Sequence, residues 1–350
     1  MSRTLTLLHA GPGLTVQDLG RPGYLAFGLS RGGAADRLAL AEGGALLGQD
    51  AGFAAIEMAG IGGTFEASQE MRIALTGAPM AATLEDGTGL RWNASHILPK
   101  GARLTIGAVR RGSYGYLHVG GGIATPERLG ARSVHLAAGL GARLRAGDVL
   151  PVGGDHGGPV DMGLEPEPRL EGGLLRMVPS LQTELFAKAE LRRFQDVTFV
   201  RDSRANRMGV RLLPGGAGFA LDGGLSVLSE VIAPGDIQVT GDGTPFVLMS
   251  ECQTTGGYPR IGSVLPSDLP RVAQAQAGAE FRFAMVSLAE AVRIERRAAE
   301  DRARLRSRLT PVLRDPARIR DLLAYQLVSG VTAGTDLDDE CLDTKEGRRP

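Results

Sequence analysis

Cysteine is scarce. Cys252 and Cys341 are the only two in 350 residues, too few to staple so long a chain, which excludes a disulfide-built domain and makes a reducing cytoplasm the expected compartment. The opening MSRTLTLLHAGPG has no apolar core of the kind a secretory leader needs. No run of 18 apolar residues is present either, so no membrane-spanning helix is expected. Net charge is also missing: 39 basic side chains balance 39 acidic ones, leaving no overall field to attract a nucleic-acid backbone or an anionic membrane.

Several catalytic signatures are absent as well. The chain contains neither G-x-x-x-x-G-K-[ST] nor G-x-G-x-x-G, so the usual phosphate cradles cannot be assigned. Its histidines, His9, His96, His118, His135 and His156, show no H-x-H or H-E-x-x-H spacing and no paired cysteines, and no metal site is expected. Gly28-Leu29-Ser30-Arg31-Gly32 has the form G-x-S-x-G. It lacks the long hydrophobic strand before it and the immediate helix after it that a nucleophile elbow requires, so Ser30 is read as a chance match in a glycine-rich chain. Cys252 has no histidine near it in sequence and reads as a buried thiol.

Glycine is abundant: 51 residues, about twice ordinary usage. Between glycine clusters lie short branched or aromatic runs at 71–77, 103–109, 114–121, 197–203, 236–243 and 246–251, which predict many short strands joined by tight turns in barrels or sandwiches. Alternation in 103–106 and in 236–239 predicts strands with one buried face. Helical periodicity is confined to Asp36–Leu47, Leu181–Phe194 and the segment after about residue 288.

At about 150 residues per domain the length suggests two domains. The glycine- and proline-rich stretch 153–173 can scarcely hold a helix or strand and marks the boundary. A faint repeat between 114–134 and 245–264 suggests related halves. From Arg293 to Arg320 there are ten Arg against four acids, read as a solvated helix or partner surface. Beyond it, 322–331 is apolar enough to dock and the acidic end should be mobile.

Two clusters are richer in functional groups than turns require. In TVQDLGRPG (15–23), Gln17, Asp18 and Arg21 lie within five positions and are closed by glycines. In ECQTTGGYP (251–259), an apolar strand ends in Gln253, Thr254, Thr255 and Tyr258, a loop suited to a small polar substrate. Arg21 and Arg211, each beside a glycine-bearing loop in a different half, are expected to converge on one anionic group.

The strings TVQDLGRPGY, GAADRLAL, LTGAPM, YLHVGGGI, NRMGVRL, PGDIQVTGDGTPFVLMSECQTTGGYPRIG and LLAYQLVSGV span nearly the whole chain. Together they resemble the allophanate hydrolase subunit 2, or biotin-dependent carboxyltransferase A/B-domain, family, whose bacterial members include one subunit of ATP-dependent 5-oxoprolinase. The resemblance implies a mainly β chain of two cyclophilin-like barrel subdomains, 1–160 and 161–292, followed by a helical, charged tail over 293–350. It implies a companion barrel subunit, a third subunit of another fold, and ATP-driven opening of a lactam. Substrate or phosphate contacts would then come from Gln17, Asp18, Arg21, Asp36, Arg207, Arg211, Gln238, Gln253, Thr254, Thr255 and Tyr258. The chain departs from its relatives at Ala41-Glu42-Gly43-Gly44, at Pro79 and at Gly130-Ala131-Arg132-Ser133-Val134, changes that bear on substrate choice.

Two other functions compete with the oxoprolinase. One is a carboxyltransferase component; with no Ala-Met-Lys-Met string in the chain, biotin would have to be carried by another polypeptide. The other is a regulatory protein that sequesters its companion without turnover.

Overall fold

A computed structural model describes residues 2–220 and 227–312. Alternation builds the first half: strand Arg103–Val109 turns Leu104 and Ile106 inward and Arg103 and Thr105 outward, the period of a strand with one wet face. It belongs to a five-stranded antiparallel sheet in which Val149–Pro151, Thr4–Ala10, Gly63–Ala67, Arg103–Val109 and Met80–Leu84 are successive neighbours. A second sheet has seven strands, in the order Leu14–Gln17, Ala55–Ala59, Tyr114–Val119, Met71–Gly77, Ala94–Leu98, Met162–Gly163 and Thr310–Pro311. The two sheets enclose a core of Leu5, Leu7, Phe65, Ile73, Leu75 and Leu104, among others.

Strand Met71–Gly77 is buried along its whole length because both its faces are covered. Met71, Ile73 and Leu75 meet the other sheet, while Ala74 packs with Ala45, Leu46 and Leu47 of helix α1 (Arg37–Leu47). Asp36 starts α1 as its N-cap, accepting from the backbone N–H groups of Leu38 and Ala39, and Gly48 ends it in the left-handed conformation at φ 66°.

The second half is a closed barrel of Gly172–Val178, Arg260–Val264, Asp236–Val239, Pro245–Leu248, Gly209–Pro214, Phe199–Ala205 and Glu280–Met285. Phe194, from helix α2 (Lys188–Asp196), packs into its core against Phe199, Phe219 and Phe283 at centroid distances of 4.9, 5.0 and 4.8 Å. Each such aromatic pair contributes about 0.5–1.5 kcal/mol beyond area burial. The short helix α3 (Leu269–Gln274) and helix α4 (Leu288–Ala303) complete the described elements.

Two expectations need correction. The helix read over Leu181–Phe194 begins only at Lys188, preceded by a 3-10 turn at Thr183–Leu185. The Thr183 hydroxyl there donates to the Ile261 carbonyl at 2.9 Å, tying that stretch to the barrel. Strand Asp236–Val239 is buried on both faces, because Arg260 lies over Asp236 and the two-stranded sheet of Glu230–Val231 with Thr255–Gly256 brings Gly256 against Gln238.

Residues 1–311 form one compact unit containing both cores. The segment after 293 is in part docked rather than free: Leu305 is buried against α1, and Thr310–Pro311 pairs with Met162–Gly163. The apolar run 322–331, Cys341 and the acidic end lie outside the described residues. Among those described, no helix is long and apolar enough to cross a membrane.

Candidate functional site

The segment from Gly28 to Asp36 passes between the halves, with Ala34 packed beside Leu40 of α1 and Ala35 in the barrel core. Its backbone interlocks with the VQDLGR turn: Arg21 N–H donates to the Arg31 carbonyl at 2.8 Å and Ala34 N–H to the Asp18 carbonyl at 2.9 Å. Gly33, at φ +83°, sits so close to Gly20 that an added Cβ would lie 2.7 Å from the Gly20 nitrogen, which explains why glycine closes this motif. Gly32 N–H donates to the Ser250 carbonyl at 2.9 Å, and Ala35 enters the barrel core. The two functional clusters of the sequence are thereby brought to one junction.

A buried charge network fills that junction. Arg207 is paired with Glu57 and Glu251 and donates to the Gly33 carbonyl. Burial opposes its charge, but Glu57 and Glu251 more than offset that and raise its pKa. Glu57 also accepts from the Tyr116 hydroxyl at 2.7 Å and from Ala35 N–H at 2.8 Å, and the Tyr116 oxygen accepts from Asp36 N–H at 2.8 Å. The free oxygen of Asp36 accepts from Arg169 at 2.7 Å and from the Gln274 side chain at 2.7 Å. Arg169 also forks onto both oxygens of Glu42, at 2.8 and 2.6 Å. Burial raises the Glu42 carboxyl even though Arg169 opposes the shift. Fully satisfied networks of this kind fix geometry more than they add stability.

Beside the network, Ser30 and His135 are joined at 2.9 Å, both about 3% exposed. Glu251 Oε2 lies 3.7 Å from His135 Nδ1, so the residue types of a serine, histidine and acid triad are assembled. The hydrogen-bond pattern assigns the opposite tautomer. Ala138 N–H donates to Nδ1 at 3.2 Å, which leaves the ring proton on Nε2, where it donates to Ser30 and cannot accept the serine proton. Burial lowers the His135 pKa while Glu251 opposes. The pair holds two loops together, and Ser30 lies between a 3-10 turn at Leu25–Phe27 and α1 rather than on an elbow.

The sequence candidates divide into groups. Gln17 is buried, donating to Thr15 Oγ1 at 3.0 Å and the Val134 carbonyl at 3.1 Å, with its own carbonyl oxygen unpartnered. Asp18 accepts from Gly20 and Arg132 N–H groups at 2.8 and 2.6 Å. Arg21 is 1% exposed and donates to the carbonyls of Arg128 and Ser133; one terminal nitrogen is unpartnered beside Gly32 and His135. Gln238 is buried with its amide nitrogen unpartnered. Gln253, Thr255 and Tyr258 are exposed, whereas Thr254 is half-buried near Gly28.

Arg211 corrects the expected convergence. It is paired with Asp202 at 2.9 Å and Asp242 at 3.0 Å, sharing no partner with Arg21. The sequence reading also missed Glu57, Tyr116, Arg169, Gln274 and His135. None has a local signature, because each acts through a partner remote in sequence, up to 238 positions away for Gln274 and Asp36. Cys252 is the buried thiol expected: burial, then Asp236, pushes its pKa up to about 12, so it is protonated at neutral pH. Among the described residues no cluster of His, Cys, Asp or Glu is arranged to hold a metal.

A two-sheet half and a closed barrel, joined by a buried polar seam, define a carboxyltransferase-type β protein. The carboxyltransferase domain, subdomain A and B, family matches residues 27–285, and the chain belongs to that family. It is 35% identical over 287 residues to the C-type component of 5-oxoprolinase from Haemophilus influenzae, covering 81% of this chain and 91% of that one. It is 35% identical over 295 residues to the protein of the same name from Escherichia coli, covering 83% and 93%. Among solved structures, TTHA0988 superposes with a TM-score of 0.74 at 31% identity, over 81% of this chain and 56% of that one. The Kluyveromyces lactis urea amidolyase superposes with a TM-score of 0.77 at 24% identity, over 89% of this chain and 21% of that one, a likeness of fold.

Proposed function

We propose that this chain is the C-type component of a multi-subunit, cytoplasmic 5-oxoprolinase that opens the lactam of 5-oxo-L-proline to glutamate at the expense of ATP. The observation that carries the reading is 35% identity over more than nine-tenths of the length of two proteins that bear the name of this oxoprolinase component. An unstrained lactam resists hydrolysis because of amide resonance, and phosphoryl transfer to it would turn a poor leaving group into a good one. The chain by itself is poorly equipped for the hydrolytic step. Ser30 faces the wrong tautomer and Cys252 is protonated, which supports chemistry divided among this chain, a companion barrel subunit and a third subunit.

The exposed loop of Gln253, Thr255 and Tyr258 is then the part of the site this chain presents. Gln253→Ala is expected to abolish glutamate release by the assembled complex while moving the thermal midpoint by no more than a few degrees, since exposed substitutions seldom cost much stability. The function itself is tested by steady-state glutamate release: none from the lone chain, turnover once the partner subunits and ATP are added. Silence of the complete set would favour the second reading, a carboxyltransferase component served by a separate biotin carrier. The fold shared with urea amidolyase supports that alternative, and carboxyl transfer from carboxybiotin would then be detected.

A further inference from the structure

Away from the junction lies a cleft of about 970 Å³ between α1, the segment around Pro168, α3 and α4. Seven arginines line it: Arg271 donates to the Gly172 and Pro168 carbonyls, Arg297 has no ion pair among the described residues, and the other five fall into two sets. Arg169 and Arg176 are neutralised, the first by Asp36 and Glu42, the second by Asp268. Arg37 and Arg302 have no carboxylate partner among the described residues, and Arg306 reaches only the Gln49 carbonyl, at 3.1 Å. Arg31 and Arg37 meet at a single acceptor, donating to the Leu19 carbonyl from 2.9 and 3.3 Å, and the Arg37 Nε is buried with no partner at all.

Such an arrangement is unfavourable without an anion. Burial above all, with the charges of Arg31 and Arg302 acting in the same direction, lowers Arg37 to about 10. The acids lining the cleft do little to relieve this: Asp268 is committed to Arg176, Glu167 lies 3.8 Å from Arg308, Asp50 caps its own turn, and Glu295 accepts from Ser267 N–H. Asp301, on α4, is the remaining one. A multiply charged oxyanion would supply acceptors to the fork geometry of several guanidinium groups at once.

We infer that this cleft is a polyphosphate-binding site in which Arg37 and Arg302, supported by Arg306, hold a di- or triphosphate group. A nucleoside triphosphate and inorganic polyphosphate share that chemistry. Assigning the occupant as ATP rests on the oxoprolinase reading, whereas the anion site does not.

The test is isothermal titration of the full chain with tripolyphosphate and with ATP at low and high salt. Saturable binding that weakens with salt is expected. Arg37→Gln and Arg302→Gln should each weaken it about tenfold or more, the usual value of a charge-assisted hydrogen bond. Arg37→Lys should retain part of the affinity, and exposed Arg103→Gln all of it. Circular dichroism and the thermal midpoint confirm that each variant is folded. ATP binding tighter than tripolyphosphate makes the ligand a nucleotide; equal binding makes it the phosphate chain alone. No saturable binding of either probe, or folded Gln variants that bind as the parent does, overturns the site. The two proposals fail separately. Glutamate release by a complex whose chain binds neither probe removes the cleft and keeps the function, and binding without turnover does the reverse.

Discussion

Gly43 shows how tightly single positions are specified. A Cβ there would lie 2.3–2.4 Å from three ring atoms of His118, and His118 Nε2 is held 2.8 Å from Thr76 Oγ1, which itself donates to the Ala39 carbonyl at 2.9 Å. Gly43→Ala is therefore expected to destabilise by about 1–3 kcal/mol, the range for overpacking. His118→Ala in the same chain should recover part of the loss, measured by urea unfolding. His118 also makes stability depend on pH. Burial lowers its pKa to about 3 from an ordinary 6.5. The unfolded chain then takes up a proton that the folded one refuses, so this contribution is complete above about pH 6.5 and is lost as pH falls towards 3. The loss should approach about 1.4 kcal/mol per pH unit in that window. His118→Gln should flatten the dependence of the urea midpoint between pH 7 and 5. If it leaves the slope unchanged, another group is responsible.

At the level of elements, α1 was legible in the helical periodicity of 36–47, and the structure adds its ends, Asp36 before it and Gly48 after it. What the sequence could not reveal is that the capping aspartate also faces Arg169, a residue within the 153–173 boundary stretch. Asp36→Ala should thus cost more than the roughly 1 kcal/mol of an ordinary cap, closer to the 3–5 kcal/mol of a broken buried pair. Asp36→Asn, which can still cap, should cost less than Asp36→Ala but well more than nothing; an Asp36→Asn chain as stable as the parent in denaturation would show that the pairing with Arg169 contributes nothing. Helix α2 was over-extended for the converse reason. Periodicity continued through Leu181–Phe194, but the hydroxyl of Thr183 is held by a barrel strand remote in sequence. Strand Asp236–Val239 failed the alternation rule because elements remote in sequence cover its outer face.

For the whole molecule, the decisive feature is the polar seam. Arg207 comes from the barrel half, Glu57 from the sheet half, and the Gly33 carbonyl from the segment that passes between them. Arg207→Met would leave Glu57 and Glu251 buried without their cation, and a loss of about 3–5 kcal/mol is expected. Adding Glu251→Gln to Arg207→Met should cost less than the sum of the two single changes, because the second substitution removes a charge the first left unpaired. Additive losses in urea unfolding would mean that these side chains act independently.

The sequence by itself determined the strand-rich class, the first helix, the inert thiol at Cys252 and, through dispersed motifs, the family. These follow from local period, turn chemistry and composition, which adjacent residues carry. Only the tertiary structure decided that Arg21 and Arg211 stand apart, that Ser30 meets His135 in the wrong tautomer, and that Arg31 and Arg37 share one carbonyl. The physical reason is that charge and hydrogen-bond complementarity are settled between atoms in contact. In this chain the partners of the buried polar groups lie tens to hundreds of positions away, where no sequence period reaches.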